Sequence, residues 1–243
     1  MRDILTQFSQ IKSLPQRRKE GQKIARDLSI KDLKNLIEDL ERQGSKTAWD
    51  LISHLITPEL FEQHPEFVFS LIQKLATHTD WEIREEAATV LKRLKERHFA
   101  LLYPTLRSWA EGKDPFLKRA ICVALIKPFK EEKENLDKIF YLFERIITCD
   151  DAYVKKNCGP FGLAAVFRRY PKNTERKLMD WIEKFSDNPT AIWNIITVFS
   201  QANGRYFPES GRRVLAKIEK EEIIEKYPKL KRVFESVKRK LKS

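Results

Sequence analysis

The chain is poor in residues that break helices and in residues that staple small folds. Of 243 residues, only 7 are glycine and 3 are cysteine. Scarce glycine leaves few places for left-handed turns, and strict apolar–polar alternation is rare, so a β-rich architecture finds little support. Cys122, Cys149 and Cys158 are odd in number and no CxxC occurs. That argues against a disulfide framework or a cysteine-bound zinc and predicts a reducing, cytoplasmic setting. His54, His64, His78 and His98 show no metal-ligand spacing, so no metal is expected. GxxxxGK[ST], GxGxxG, HExxH and GxSxG are all missing; nucleotide hydrolysis and zinc chemistry are not expected, nor is a cofactor. The longest purely apolar run, Ala120 to Ile126, falls far short of the roughly 20 residues of a membrane span. The N-terminal MRDILTQFSQIKSL carries charges inside its apolar stretch and lacks a signal-peptide core. A soluble, monomeric, cytoplasmic protein is the expectation.

What is abundant is charge and helix-forming residues. Hydrophobic residues make up 42% and charged ones 34%, which fits a folded, elongated protein with much surface. Lys and Arg number 47 against 35 Asp and Glu, a net charge of +12. Such an excess favours a polyanion through phosphate neutralisation and counterion release. A lysine-rich surface serving solubility or heat tolerance is the plainer alternative.

Along the chain, helical segments alternate with short turns. Residues 1–44 read as N-terminal helices, with Ser29-Ile30-Lys31-Asp32 as a capping-box variant and Gly44 as a stop. Residues 45–207 read as helical pairs, and 208–243 as a basic helical tail around Pro228. The second helices share a pattern: Asp80-x-x-Ile83-Arg84, Asp114-x-x-Leu117-Lys118 and Asp151-x-x-Val154-Lys155. From Asp80 to Asp114 is 34 residues and from Asp114 to Asp151 is 37, the mark of a repeat architecture. Each aspartate is suited to cap its helix. The fold expected is a single all-α domain, a right-handed α-solenoid (superhelix) of HEAT-like antiparallel helix pairs. Such solenoids mostly bind proteins, so the pattern says more about fold than about function.

The same helices carry an aromatic residue three before a basic one: Trp81/Arg84, Phe116/Arg119 and Tyr153/Lys156. Groups one turn apart share a surface that can neutralise phosphates and offer flat contacts to sugars or bases. If the aromatics instead pack between repeats, a basic ladder of Arg84, Lys118, Arg119, Lys155 and Lys156 remains.

The stretch from Thr47 to Lys95 resembles the central region of the AlkD-type DNA alkylation repair glycosylases. The residues that carry the likeness are Trp49-Asp50-Leu51-Ile52, then His64-Pro65-Glu66, then Trp81-x-x-Arg84-x-x-Ala87-Ala88. It extends through FLKRAICVAL and more weakly towards Tyr170, covering roughly residues 45 to 170. The resemblance implies excision of cationic alkylated purines from double-stranded DNA. It implies an aspartate that supports the electron-poor sugar and the attacking water, an arginine that holds the backbone, and tryptophans against the sugar. Matched on the W-D pair, the aspartate position falls on Ser53; matched by its distance from His64-Pro65, it falls on Asp50, with Lys46 in place of a tryptophan. Arg84 carries over in both registers, and a later tryptophan position falls near Val123. Asp50 is therefore the candidate catalytic residue. Trp49, Trp81, Arg84, Lys118, Arg119, Lys155 and Lys156 are the candidate DNA contacts. Two other readings stay open: a non-catalytic relative that recognises DNA shape or damage, and a protein-binding scaffold.

Overall fold

The structure, a computed structural model, describes residues 2–242. Among these every regular element is helical. The chain forms two compact units that meet in sequence between Thr105 and Leu106.

The first unit contains α1 (Arg2–Gln10), α2 (Leu14–Asp27), α3 (Ile30–Gln43), α4 (Lys46–Leu55), α5 (Pro58–Gln63), α6 (Pro65–Ala76) and the first part of α7 (Trp81–Glu111). The organising element is α4. Its sequence, KTAWDLISHL, has no continuous polar face, and a helix apolar on most sides must sit inside. Ala48 to Leu55 are all buried, and α1, α2 and α3 pack on α4. Local chemistry sets its ends. Gly44 closes α3 in the left-handed conformation, φ 66°, which glycine adopts without strain. Ser45 then caps α4 by accepting the Ala48 N–H. Ser29 caps α3 in the same way, accepting from Asp32 N–H. At the far end of α4, Arg93 donates to the carbonyls of Ser53 and Ile56, each at 2.7 Å. Burial, then the charge of Arg18, lower the Arg93 pKa to about 10, so it stays charged at neutral pH while it ties α4 to α7. The helix α7 itself is broken at His98, where φ and ψ are −128° and 32°, and it holds Pro104.

The second unit holds the end of α7, then α8 (Pro115–Ala124), α9 (Leu136–Ile146), α10 (Ala152–Asn157), α11 (Ala164–Arg169), α12 (Pro171–Lys184) and α13 (Pro189–Thr197). It finishes with α14 (Ala202–Tyr206), α15 (Pro208–Lys220), α16 (Ile223–Lys226) and α17 (Lys231–Lys240). The repeated aspartates sit at helix starts. Asp114 accepts from the N–H groups of Phe116 and Leu117, and Asp151 from those of Tyr153 and Val154. In the first unit Asp80 accepts from Glu82 N–H at 2.9 Å. Removing one such cap, as in Asp114→Ala, should cost about 1 kcal/mol. Thermal unfolding would then show a Tm lower by about 2–4 °C.

One expected second helix is not regular. Between α10 and α11 the residues Cys158–Leu163 form a π-helical turn. Pro160 has no N–H to give to an α-helical ladder, which favours widening. The turn is also pinned from outside: Gly159 N–H donates to Asn194 Oδ1 at 3.1 Å. Asn194 Nδ2 in turn donates to the carbonyls of Ile147 and Thr190. The basic tail is docked rather than loose. Leu230, Phe234 and Val237 are buried, and Lys238 pairs with Glu219 at 2.5 Å. Part of its charge is thus spent inside the fold.

Candidate functional site

In the first unit a cavity of about 570 Å³ opens against α4. Three stretches of chain build it. Phe8 and Ser9 come from α1 and Leu14 and Arg17 from α2; Lys46, Thr47 and Asp50 from α4; Trp81, Glu82, Ile83, Glu85 and Glu86 from the start of α7. The spacing of Lys46 and Asp50 on one helix, and of Trp81 and Glu85 on another, places each pair one turn apart on one face. Lys46 bridges the two helix starts through Asp80, at 2.8 Å, and Glu82.

Asp50 is the buried acid of this cavity, 8% exposed. Its Oδ2 accepts from Arg17 Nη1 at 2.9 Å, and Arg17 Nε donates to the carbonyl of Ile11 at 2.6 Å. Its Oδ1 stands 3.4 Å from His54 Nε2, at the long limit of a hydrogen bond. Burial pushes the Asp50 pKa up, but His54 and Arg17 more than offset this, and the net shift is downward. The carboxylate is therefore held ionised in a mostly dry setting. Of the other lining residues, Trp81 is 60% exposed and Leu14 45%.

The other candidates fall as follows. Ser53 is fully buried and donates its hydroxyl to the Asp50 carbonyl at 2.7 Å, so Asp50 lines the cavity and Ser53 does not. Trp49 is in the core, its ring 6.0 Å from that of His78. Arg84 is turned back on its own helix start, donating to the carbonyls of His78 and Thr79 at 2.6 and 2.8 Å. In the second unit Arg119 is buried, its guanidinium 4.9 Å from the Tyr153 ring, and Tyr153 meets Phe116 edge-on at 5.8 Å. Phe116 and Tyr153 thus pack against one another, and Tyr153 against Arg119, while Trp81 stays exposed. Lys118 lines a shallow depression with Glu111, Glu144, Arg145 and Lys184. Lys155 pairs with Asp150 at 3.0 Å and lies over Trp193 at 5.4 Å, and Lys156 is exposed. Val123, in the core of α8, offers no aromatic surface.

Sequence reading missed Phe8, Leu14, Arg17, Glu85 and Glu86. The first three lie at least 33 residues before Asp50, and only packing joins them to it. Glu85 did leave a signal, its spacing of one turn from Trp81. Among the described residues no group of histidine, cysteine, aspartate and glutamate is placed to hold a metal ion, and no helix is long and apolar enough to cross a membrane. Burial pushes the Cys158 thiol well up, which leaves it a poor nucleophile.

No curated protein and no solved structure matches the chain. A family model does, over residues 12–194, a range that takes in Arg17, Asp50, Trp81, Glu85 and the whole aspartate-capped repeat region. The protein with this buried, ionised carboxylate beside an exposed tryptophan belongs to the DNA alkylation repair enzyme family.

Proposed function

We propose that the chain is a DNA glycosylase that docks on double-stranded DNA and removes cationic N3- or N7-alkylated purines, with Asp50 as its catalytic carboxylate. The observation that carries this reading is Asp50 itself: an acid kept ionised at the wall of a cavity beside Trp81, in a chain of net charge +12. A carboxylate near phosphates is repelled by them, a cost without benefit to simple binding. It becomes useful when positive charge develops at the sugar.

The chemistry is a hydrolysis. The C1′–N bond breaks with its electron pair going to the base, and that pair cancels the positive charge the alkyl group brought. The sugar acquires oxocarbenium character, which the carboxylate stabilises. A water oxygen then bonds C1′, and its proton passes to the carboxylate and on to solvent. A leaving group that departs neutral needs no general acid.

One observation favours a second carboxylate for the same role. Glu85 lines the same cavity one turn after Trp81. Asp50→Asn and Glu85→Gln, each assayed for base release from methylated duplex DNA, separate the two.

We further infer that the helical pairs stack as a HEAT-like right-handed solenoid forming one functional domain, with duplex DNA held mainly through phosphates. The capped, repeated second helices and the basic excess support this. Lys118 and Lys156 are the ladder members best suited to phosphate contact. Replacing both by alanine should lower the log–log salt slope of duplex affinity by about 1.8, at about 0.9 for each phosphate no longer neutralised. It should do so alike on all sequences. An unchanged slope in a filter-binding titration would place the DNA elsewhere. Duplex binding without base release would favour a non-catalytic damage-binding relative, and no DNA binding at all a protein scaffold.

A further inference from the structure

In the second unit, the chain that runs from α10 through the π-helical turn into α11 is packed on three sides. α8 and α13 flank it, and α9 lies against the turn. Val154, Cys158, Gly159 and Gly162 to Phe167 are buried against these neighbours. One side stays open. Between Tyr153 and Arg169 the exposed residues are Lys156, Phe161 and Arg168, so these three share the open side.

Phe161 is 49% exposed. A single exposed apolar side chain is ordinary; this one differs in how it is held and in what surrounds it. The glycines on either side of it fix the turn. Gly159 N–H is bound to Asn194 Oδ1, and a Cβ at residue 162 would stand 2.9 Å from the Phe143 ring. The turn is seated closely on α9 and α13, and it carries the phenyl ring outward on a fixed base. π-helical turns of this kind occur frequently at functional sites. The charge around the ring has one sign, for residues 152–170 include Lys155, Lys156, Arg168 and Arg169 and no acid. Lys155 and Arg169 are engaged with Asp150 and Glu132. Among the described residues, the two exposed cations have no carboxylate partner; Arg168 donates to Asn203 Oδ1 at 3.3 Å. From Lys156 to Arg168 is 12 residues, roughly 18 Å at α-helical rise.

A rigid apolar knuckle between two uncommitted cations fits a partner that is anionic at its rims and apolar between them. A duplex groove has that build: phosphates on both edges and stacked bases between. We infer that Phe161 is a wedge, which enters the minor groove of duplex DNA at one base step and unstacks it while Lys156 and Arg168 hold phosphates on either side. Apolar side chains act in this way on other minor-groove proteins, and the duplex kinks where they enter. The inference rests on the duplex-docking reading and adds to it. Phosphate contacts alone leave the stack intact; a wedge opens one step. It also adds a preference that no base contact carries, for steps that unstack easily.

The test uses the full chain and two G·C-rich duplexes, each with a single TA step, a flexible kind. One duplex carries the fluorescent base 2-aminopurine in place of the adenine of that step. The other carries it away from the step. Stacking quenches this base, so unstacking raises its emission. Binding should brighten the first duplex and leave the second dark. Phe161→Ala should lose the brightening yet keep the salt slope of duplex affinity, since no phosphate contact is removed. Phe161→Leu, still apolar, should brighten the probe. Lys156→Ala should do the reverse of Phe161→Ala: its slope falls by about 0.9, and the brightening at saturation remains. Tyr206→Ala, at another exposed aromatic of the second unit, should behave as wild type. An unchanged helical circular dichroism spectrum checks that each variant is folded. Duplex binding without brightening, or brightening that survives Phe161→Ala, overturns the wedge and leaves the docking reading standing. No duplex binding at all overturns both.

Discussion

Asp50→Asn is expected to slow release of methylated purines from duplex DNA by about 100- to 1,000-fold, the usual cost of removing one group aimed at charge in a transition state. Binding of the duplex should survive and even tighten, because a negative charge near phosphate is removed. The structure sets the pH behaviour. Burial raises the Asp50 pKa, and His54 and Arg17 lower it further than burial raises it. The catalytic form is then present at all pH values above the ordinary carboxylate range of about 4. The rate should not fall on this group's account between neutrality and that range, only below it. The same shift acts on stability. A carboxyl whose folded pKa is depressed stabilises the fold above its unfolded value, and that contribution fades as pH drops through the folded one. Asp50→Asn should remove this acid-side loss along with the Arg17 ion pair. If Asp50→Asn retains full release while Glu85→Gln abolishes it, the chemistry belongs to Glu85 and Asp50 is a positioning partner of Arg17.

The second large effect is structural. A methyl group at residue 159 would stand 2.3 Å from both the Asn194 carbonyl oxygen and Thr197 Oγ1. Neither neighbour is free to move. The first is backbone of α13, and Thr197 donates its hydroxyl to that same carbonyl at 3.0 Å. The Gly159 N–H is bound to the Asn194 side chain as well. Gly159→Ala must therefore push the π-helical turn away from α13 and strain a buried polar clamp. Overpacking of this kind costs about 3 kcal/mol. For a chain of this size that corresponds to a Tm lower by about 6–12 °C, measurable by calorimetry. A drop below about 2 °C would mean that α13 and the turn adapt cheaply, and that the clamp contributes little.

The α-helical character was legible because it rests on local rules. Aspartates at 80, 114 and 151, serines at 29 and 45, and Gly44 act within a few residues of themselves. The π-helical turn was not legible, although Gly159 and Pro160 stand in plain view. Either residue could equally have ended the helix. What keeps the chain turning is the contact with Asn194, 35 residues further on. The site divides along the same line. Asp50 is named through the family resemblance, in one of its two registers, and Trp81 through the resemblance and the aromatic–basic spacing. Arg17, which holds the carboxylate, and Phe8 and Leu14, which wall the cavity, lie on α1 and α2, where nothing in the local sequence marks them. Arg84 and Trp49 fitted the resemblance equally well, yet one serves carbonyls at its own helix start and the other the core. Spacing along a helix tells which residues share a face, not whether that face is open.

The most direct measurement of the central claim is incubation of the wild-type protein with duplex DNA carrying N3-methyladenine and N7-methylguanine, followed by chromatography of the released bases. The predicted result is free methylated purine and a matching number of abasic sites, above the spontaneous rate and abolished when the cavity's catalytic carboxylate is neutralised. Intact alkylated DNA, bound by the protein yet releasing no base beyond the spontaneous rate, would contradict it.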